Sequence, residues 1–255
     1  MLATAKVNFD RGETALKRKS FDRARRYFKH VRREFPYSRY ASLAELRLAD
    51  CDFDQGNHAE AAAAYRRFLR LHRTHDEADH ASFRRGLSYY KMIPSDWFLV
   101  PPSHERDMSA TRDALRELRT FLRLYPRSDY VPEATKLVRE SLNRLARHEM
   151  YVARFYLRRG KHKAAIGRTQ AIERFYSDSG FVPHAMIVRG ETFMQMEDNE
   201  AAKEAFLQLA ARFPDTAEAK QARDYLKHLG VDPARALAAQ VEESNEDDEP
   251  ESAPQ

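Results

Sequence analysis

The stretch Phe21-Asp-Arg-Ala24-Arg-Arg-Tyr-Phe28-Lys-His-Val31-Arg-Arg-Glu-Phe-Pro36 decides the fold. A small residue, an aromatic, an apolar residue and a proline stand at offsets 0, 4, 7 and 12 from Ala24. Residues three and four apart stack on one side of a helix, so the first three positions share a face, and the proline marks the stop. The template then recurs downstream. Ala61, Tyr65 and Phe68 repeat it with Arg73 at the proline position, and Ala114, Leu118, Phe121 and Pro126 repeat it in full. Ala165 and Ile172 carry Thr169 and Ser177 at the aromatic and proline positions, and Ala202, Phe206, Leu209 and Pro214 close the series.

The anchor alanines are spaced by 37, 53, 51 and 37 residues, so two units keep a near-standard period and two carry insertions. Twelve residues before four of the anchors stand Gly12, Ala49, Ala153 and Gly190, and Gly86 holds the same place upstream of the third unit's insertion. Small residues belong there because the two helices of a pair cross closely, and a larger side chain would push them apart. A helix pair repeated at this period is the tetratricopeptide hairpin. The expected fold is all-α: a tetratricopeptide-repeat superhelix of five hairpins plus a C-terminal capping helix.

Composition agrees. The 255 residues hold only 8 Gly and 11 Pro, and no period-2 alternation suggests strands. No segment approaches the ~18 to 20 consecutive apolar residues a membrane helix needs. The net charge of +5 hides an asymmetry: Glu242 to Gln255 holds seven acids and no Lys or Arg, leaving 44 cations against 32 acids elsewhere, a net +12. The arginines are interleaved with acids, as in Arg112-Asp-Ala-Leu-Arg-Glu-Leu-Arg119, which is the pattern of solvated helix faces and not of a nucleic-acid groove. A mildly basic array favours acidic partners.

In chain order, helices are expected over residues 3–18 and 21–34, 40–55 and 58–72, and 78–91. Between Met92 and Met108 the prolines 94, 101 and 102 surround Trp97-Phe-Leu-Val100, giving an inserted loop of 17 residues whose apolar cluster either lids the array or binds a partner. From Pro132 to Arg159 no Pro or Gly interrupts the helical spacing of Leu137, Leu142, Leu145, Val152 and Phe155, so one long helix, or two in tandem, can bridge two halves. Residues 1–130 then form an N-terminal part of three repeats, and 131–230 a C-terminal part of two repeats and the cap. The acidic tail 231–255 is expected to be mostly disordered.

Catalytic chemistry is not evident. His148-Glu-Met-Tyr-Val152 begins like a zinc-peptidase motif but lacks the second histidine. His72, His75 and His80 with Asp76 and Asp79 sit at a hairpin connection, without the further ligands of a zinc set. No phosphate loop or nucleophile elbow stands out, Cys51 reads as a small core residue, and neither cofactor nor metal is expected.

Binding is what such arrays do, through the face lined by the first helix of each pair. Projection from the Gly12 position turns Phe9, Glu13 and Lys17, then Leu46, Asp50 and Phe53, then Phe83, Leu87 and Tyr90 inward, a mixed apolar and charged surface suited to an extended peptide with aromatic side chains. Several of these aromatics can equally be inter-repeat core. In the later repeats the same projection gives Arg147, Met150, Arg154, Leu157 and Arg158, a more basic surface, so the two halves should bind different things.

One run carries a family resemblance. Asn143-Arg-Leu-Ala-Arg-His148-Glu-Met-Tyr-Val-Ala-Arg-Phe-Tyr156-Leu-Arg-Arg-Gly160-Lys-His-Lys-Ala-Ala-Ile-Gly-Arg168 resembles the BamD (ComL/YfiO) family of outer-membrane assembly lipoproteins, in which a long helix passes through an Arg-Gly turn into a paired-Ala helix. Phe35-Pro-Tyr-Ser-Arg-Tyr-Ala41, Phe68-Leu-Arg-Leu-His72, Gly86-Leu-Ser-Tyr-Tyr90 and Tyr125-Pro-Arg-Ser128 are similar in type and order, so the resemblance spans about residues 5 to 215. It implies a non-catalytic adaptor on the periplasmic face of the outer membrane. Such an adaptor receives nascent outer-membrane proteins in the N-terminal repeats and docks a BamA-type barrel protein, with other BAM lipoproteins, through the C-terminal ones. Arg168, matching the arginine after the family's paired alanines, joins Arg147, Arg154 and Arg158 as a docking candidate. Membrane attachment would come only through a lipid anchor upstream of this chain, since no lipid-acceptor cysteine is recognisable in it. The competing expectations are an envelope scaffold of the CpoB/YbgF Tol-Pal type, which an upstream trimerising coiled coil would favour, and a peptide-gripping co-chaperone, for which Lys6 and Lys17 supply few clamping cations.

Overall fold

The computed structural model describes residues 2–94 and 107–238, and all regular structure among them is helical. The helices are α1 (Leu2–Lys17), α2 (Phe21–Glu34), α3 (Arg39–Asp54), α4 (His58–Leu71), α5 (Ala78–Lys91), α6 (Ser109–Leu124), α7 (Val131–Leu157), α8 (His162–Phe175), α9 (Val182–Gln195), α10 (Asn199–Arg212) and α11 (Ala217–His228). α1 pairs with α2, α3 with α4, α5 with α6 and α9 with α10, α11 packs against the last pair, and the later turns of α7 share a core with α8.

The template residues are the core. Ala24, Phe28 and Val31, Ala61, Tyr65 and Phe68, Ala114, Leu118 and Phe121, and Ala202, Phe206 and Leu209 have no solvent exposure. Ala165, Thr169 and Ile172 are equally buried, and Thr169 satisfies its hydroxyl by donating to the Ile166 carbonyl at 2.9 Å. The small residues oppose the aromatics directly. A Cβ on Gly12 would lie 2.5 Å from the Phe28 ring, and one on Gly190 would lie 2.3 Å from the Phe206 ring. At the same offset from the other two anchors, Ala49 and Ala153 are both fully buried, Ala49 in one cluster with Tyr65.

Two recurring backbone events shape each hairpin. Five residues ahead of the anchor, the turn between paired helices enters the left-handed region at Lys19 (φ 55°), Gly56 (φ 84°), Gly160 (φ 66°) and Glu197 (φ 61°). Glycine takes that conformation without a Cβ penalty, whereas lysine and glutamate hold it at some cost. At the other end, the helix-terminating residues Phe35, His72, Tyr125, Tyr176 and Phe213 share φ between −128° and −134°. Each returns its amide to the carbonyl four residues back, at 2.8–3.0 Å. Their ψ lies between 38° and 58°, outside the right-handed helical region that a following proline disfavours. His72 and Tyr176 adopt this conformation although Arg73 and Ser177 replace the proline.

Compact packing divides the chain into two units, residues 1–141 and 142–255. The division falls within α7, not ahead of it. The opening turns of α7 belong to the first unit because Ala134 and Leu137 pack with Phe83, Leu118 and Phe121. The later turns belong to the second because Ala146, Met150 and Ala153 join a core with Ile172, Met186, Phe206 and Leu226. The long uninterrupted pattern is thus one helix of 27 residues, about 40 Å long.

Of the inserted loop, Met108 is buried at the start of α6 and Asp107 accepts from the Ser109 amide at 3.0 Å. The Trp97–Val100 cluster, and with it the lid-or-partner question, lies outside the described residues. At the start of the tail, residues 233–238 are helical and Val231 packs on the second unit's core, because Gly230 at φ 77° turns the chain back onto it. Residues 239–255 lie outside the described part.

Candidate functional site

In the first unit the site candidates gather around Arg47, which α3 places one residue beyond the buried Leu46. Its Nε donates to Glu13 Oε1 at 2.7 Å, and its two terminal nitrogens fork onto both Glu77 carboxylate oxygens at 2.6 and 2.9 Å. Asp50 lies 3.3 Å away, one helical turn on. One planar guanidinium thus ties α1, α3 and the start of α5 together, which its fixed fork of donors suits better than a lysine would. Burial works against the charge of Arg47, but the Glu77 hydrogen bonds and the three surrounding carboxylates raise its pKa.

Asp50 is the buried counterpart, 5% exposed. Its Oδ1 accepts from the Tyr65 hydroxyl at 2.6 Å and lies 3.0 Å from His80 Nε2, whose Nδ1 is 3.0 Å from the Tyr130 hydroxyl. Burial favours the protonated acid, but the His80 hydrogen bond and charge, the Tyr65 hydroxyl and Arg47 together hold its pKa below the ordinary value. Asp54, Glu77, Asp79, Arg84 and Asp129 surround an open groove of about 580 Å³ above this network.

The peptide-facing residues read from the sequence separate here. Leu46 is fully buried, Phe83 stacks almost parallel on Tyr130 with centroids 4.7 Å apart, and Phe9 sits between Phe28 and Tyr40 at 5.6 and 5.5 Å. Phe53 is buried with the Arg84 guanidinium 4.2 Å above its ring. These four fill the space between helices. Glu13 is half-buried on Arg47, Tyr90 is half-buried with its hydroxyl on Glu140, and Lys17 is exposed. Projection from the glycine position does not tell how deep each residue lies between the helices.

Arg47, Glu77, His80 and Arg84 were missed, although a signal existed. Arg47–Glu77, Asp50–His80 and Asp54–Arg84 are all thirty residues apart, as are Arg154–His184 and Glu191–Gln221 in the second unit. That interval is the register between α3 and α5, between α7 and α9, and between α9 and α11. The three clustered histidines serve separately: His72 lies 3.3 Å from Glu45, His75 lies 3.3 Å from the Ser42 hydroxyl, and His80 joins Asp50 to Tyr130. Cys51 is buried and its thiol pKa is pushed up to about 12, chiefly by burial, which leaves it protonated and inert.

The second unit presents a different surface. Arg147 and Arg154 on α7, and Arg158 just beyond its end, are exposed. The Arg147 guanidinium lies 5.4 Å from the Phe181 ring centre, and an Arg154 terminal nitrogen lies 2.9 Å from His184 Nε2. Among the described residues no carboxylate is within ion-pair distance of these three. Residues 143–168 hold eight Lys and Arg and a single acid, Glu149. Arg168 on α8 takes that acid at 3.0 Å, a hydrogen bond that heads the causes raising its pKa. The docking candidates are therefore not equivalent: three meet no carboxylate, and Arg168 is held by one.

A family model described as outer membrane lipoprotein (YfiO) matches residues 2–209, which include every residue named in both surfaces. The chain belongs to the YfiO family. Among its relatives, the outer membrane protein assembly factor BamD of Xylella fastidiosa strain 9a5c is 30% identical over 211 residues, covering 81% of this chain and 72% of that one. The Caulobacter vibrioides BamD is 28% identical over 226 residues, covering 89% and 72%. Among solved structures, the TPR2AB domain of yeast Sti1 in an Hsp90 complex covers 95% of this chain and 94% of that one at 13% identity, with a TM-score of 0.47. The YfiO match runs through the whole 143–168 basic stretch and ends near the close of α10. No described helix of this YfiO-family chain is long and apolar enough to cross a membrane.

Proposed function

We propose that this chain is a non-catalytic adaptor for assembling outer-membrane β-barrel proteins, acting at the periplasmic face of the outer membrane. Unfolded barrel substrates lie along the groove of the first unit, against Glu13, Lys17, Tyr90 and the groove-lining charges. The second unit docks a BamA-type barrel protein through Arg147, Arg154 and Arg158, with Arg168 shaping the neighbouring surface through Glu149. The observation that carries the reading is the exposed set Arg147, Arg154 and Arg158 within a YfiO-family chain: among the described residues no carboxylate pairs with these cations, which leaves them available to an acidic partner. The buried Leu46, Phe83, Phe9 and Phe53 support the groove from beneath, and Asp50 with Arg47 sets the spacing of the helices that form it.

Depletion of the protein in its host tests the function. Outer-membrane barrel proteins should fall in abundance and unfolded barrel precursors should accumulate, with rescue by the intact chain. Unchanged barrel levels after full depletion would refute the assignment. A photo-crosslinker at Lys17 or Tyr90 should capture barrel precursors, and one at Arg158 should capture the BamA-type protein.

A further inference from the structure

We infer that the outer face of the first hairpin is a docking groove for an acidic amphipathic helix of another protein. That helix lies on α1 as α8 lies on α9, and sets a carboxylate on Arg11. The groove between α1 and α2 is open, about 590 Å³, and its lining includes Val7, Arg11, Thr14, Arg18, Arg23 and Tyr27. Asp10, the one carboxylate in that lining, lies 3.5 Å from the Lys6 ammonium.

The other hairpins show what this face accepts. Five residues before the small residue at the helix crossing stand Val7 in the first hairpin and Ala44, Ala81 and Ala185 in the second, third and fifth. The three alanines have no solvent exposure, whereas Val7 is 48% exposed. Two residues after the crossing, Cys51, Ser88 and Thr192 are buried, whereas Thr14 is exposed. The cover is the second helix of the preceding hairpin: α2 packs on α3, α4 on α5 and α8 on α9. Among the described residues no element covers that face of α1.

The residue before the crossing glycine sets the charge of the occupant. It is an arginine three times, as Arg11, Arg85 and Arg189. Arg85 is ion-paired with Glu117 on α6. The buried Arg189 meets Glu173 on the preceding α8 at 2.9 Å and Gln208 on α10 at 3.0 Å. In the first hairpin Tyr27 and His30 hold the places of Glu117 and Gln208, and among the described residues no carboxylate is within ion-pair distance of Arg11. Arg11 therefore lacks the acid that α8 supplies to Arg189. Arg18 and Arg23, exposed and likewise without an ion pair among the described residues, stand where the fifth hairpin has Met196 and Ala201, so the visiting helix is more acidic than α8. Charge alone does not single out this face, since residues 17–33 hold nine Lys and Arg against one acid and residues 143–168 hold eight against one. The register with Arg189 does. Guanidinium groups beside an exposed valine and a half-buried tyrosine match a helix whose apolar stripe is flanked by carboxylates. The arginines of α7 play no part, so this inference and the docking reading fail separately.

Fluorescence anisotropy with a stapled, dye-labelled helical peptide tests it. The probe is the α8 segment, residues 161–176, carrying Lys161→Glu, Lys163→Glu and Arg174→Glu. It should bind the full chain saturably, and Glu173→Gln in the probe should weaken binding at least about threefold. Arg11→Glu in the chain should weaken binding at least about tenfold, and Glu173→Arg in the probe should restore affinity for that variant. Arg11 is exposed, and the probe series on the unaltered chain reads the same contact whatever the variant does to folding. Absence of saturable binding, equal affinity for the Glu173→Gln probe, or a loss caused by Arg154→Glu and not by Arg11→Glu would each overturn it. Dimerisation of the chain that Arg11→Glu abolishes, read by sedimentation, would also overturn it, because a second copy would then be the occupant.

Discussion

The two arginine groups of this chain are chemically alike and structurally opposite. Arg47 in the first unit spends its donors on Glu13, Glu77 and Asp50, and is itself a strut between hairpins. Arg147, Arg154 and Arg158 in the second unit meet a ring, an imidazole and solvent. The difference lies in what stands thirty residues away along the first-helix register: Glu77 for Arg47, His184 for Arg154. Arg47 finds a carboxylate at that interval and is part of the scaffold, whereas Arg154 finds an imidazole and stays on the surface.

The largest expected effect breaks this comparison at its buried end. Arg47→Met leaves Glu77 without its counter-ion and takes one from Asp50, and should lower unfolding free energy by about 2–4 kcal/mol, against less than about 0.5 kcal/mol for Arg154→Ala. Denaturant titration of the two variants side by side measures it. Equal losses would mean that burial and pairing do not separate the two groups.

The shared scaffold supplies a control. Gly190→Ala brings a methyl against a Phe206 ring that is stacked on Tyr225 at 4.9 Å and cannot swing aside, and it should cost about 1–3 kcal/mol. Gly12→Ala should cost a similar amount against Phe28. Shrinking the opposing ring, as in Gly190→Ala with Phe206→Leu, should recover part of the loss, which is the signature of steric contact.

Asp50 sharpens the comparison through pH. Its pKa is lowered in the folded chain, so the stability it contributes is present above the ordinary carboxylate value near 4 and is lost as pH falls through the lowered value. Asp50→Asn should cost about 1–3 kcal/mol at neutral pH. It should also flatten the decline in stability below about pH 4. A decline as steep as in the unaltered chain would remove Asp50 from the acid response. The smallest effect concerns a turn: Glu197→Gly relieves a left-handed φ and should stabilise the second unit by about 0.5–1 kcal/mol, seen as a small rise in melting temperature.

These contrasts explain what could be read in advance. The offsets of Ala24, Phe28 and Val31 reported the core because a repeated hairpin buries the same positions each time, and even Thr169, out of type, lies where the template put it. Gly12 and Gly190 were legible because close helix crossing tolerates nothing larger. The groove was not. Side chains such as Phe9 and Phe83 sit on the inward face, yet only packing with Tyr40 and Tyr130 shows that they are interior. Arg47 looked like one more solvated arginine, because its partners Glu13 and Glu77 lie 34 and 30 residues away, beyond any local pattern. The arginine face of α7 was visible because a run of cations with one acid needs no partner to be noticed.

The central claim is that Arg147, Arg154 and Arg158 of the second unit form a docking surface while Arg47 of the first unit is structural. Calorimetric titration of the full chain with the periplasmic domains of the BamA-type protein tests it directly. The Arg147→Glu, Arg154→Glu, Arg158→Glu variant should bind at least about tenfold more weakly, a change of about 1.4 kcal/mol or more, while its melting temperature stays close to that of the unaltered chain. Undiminished affinity in a folded variant would contradict the account.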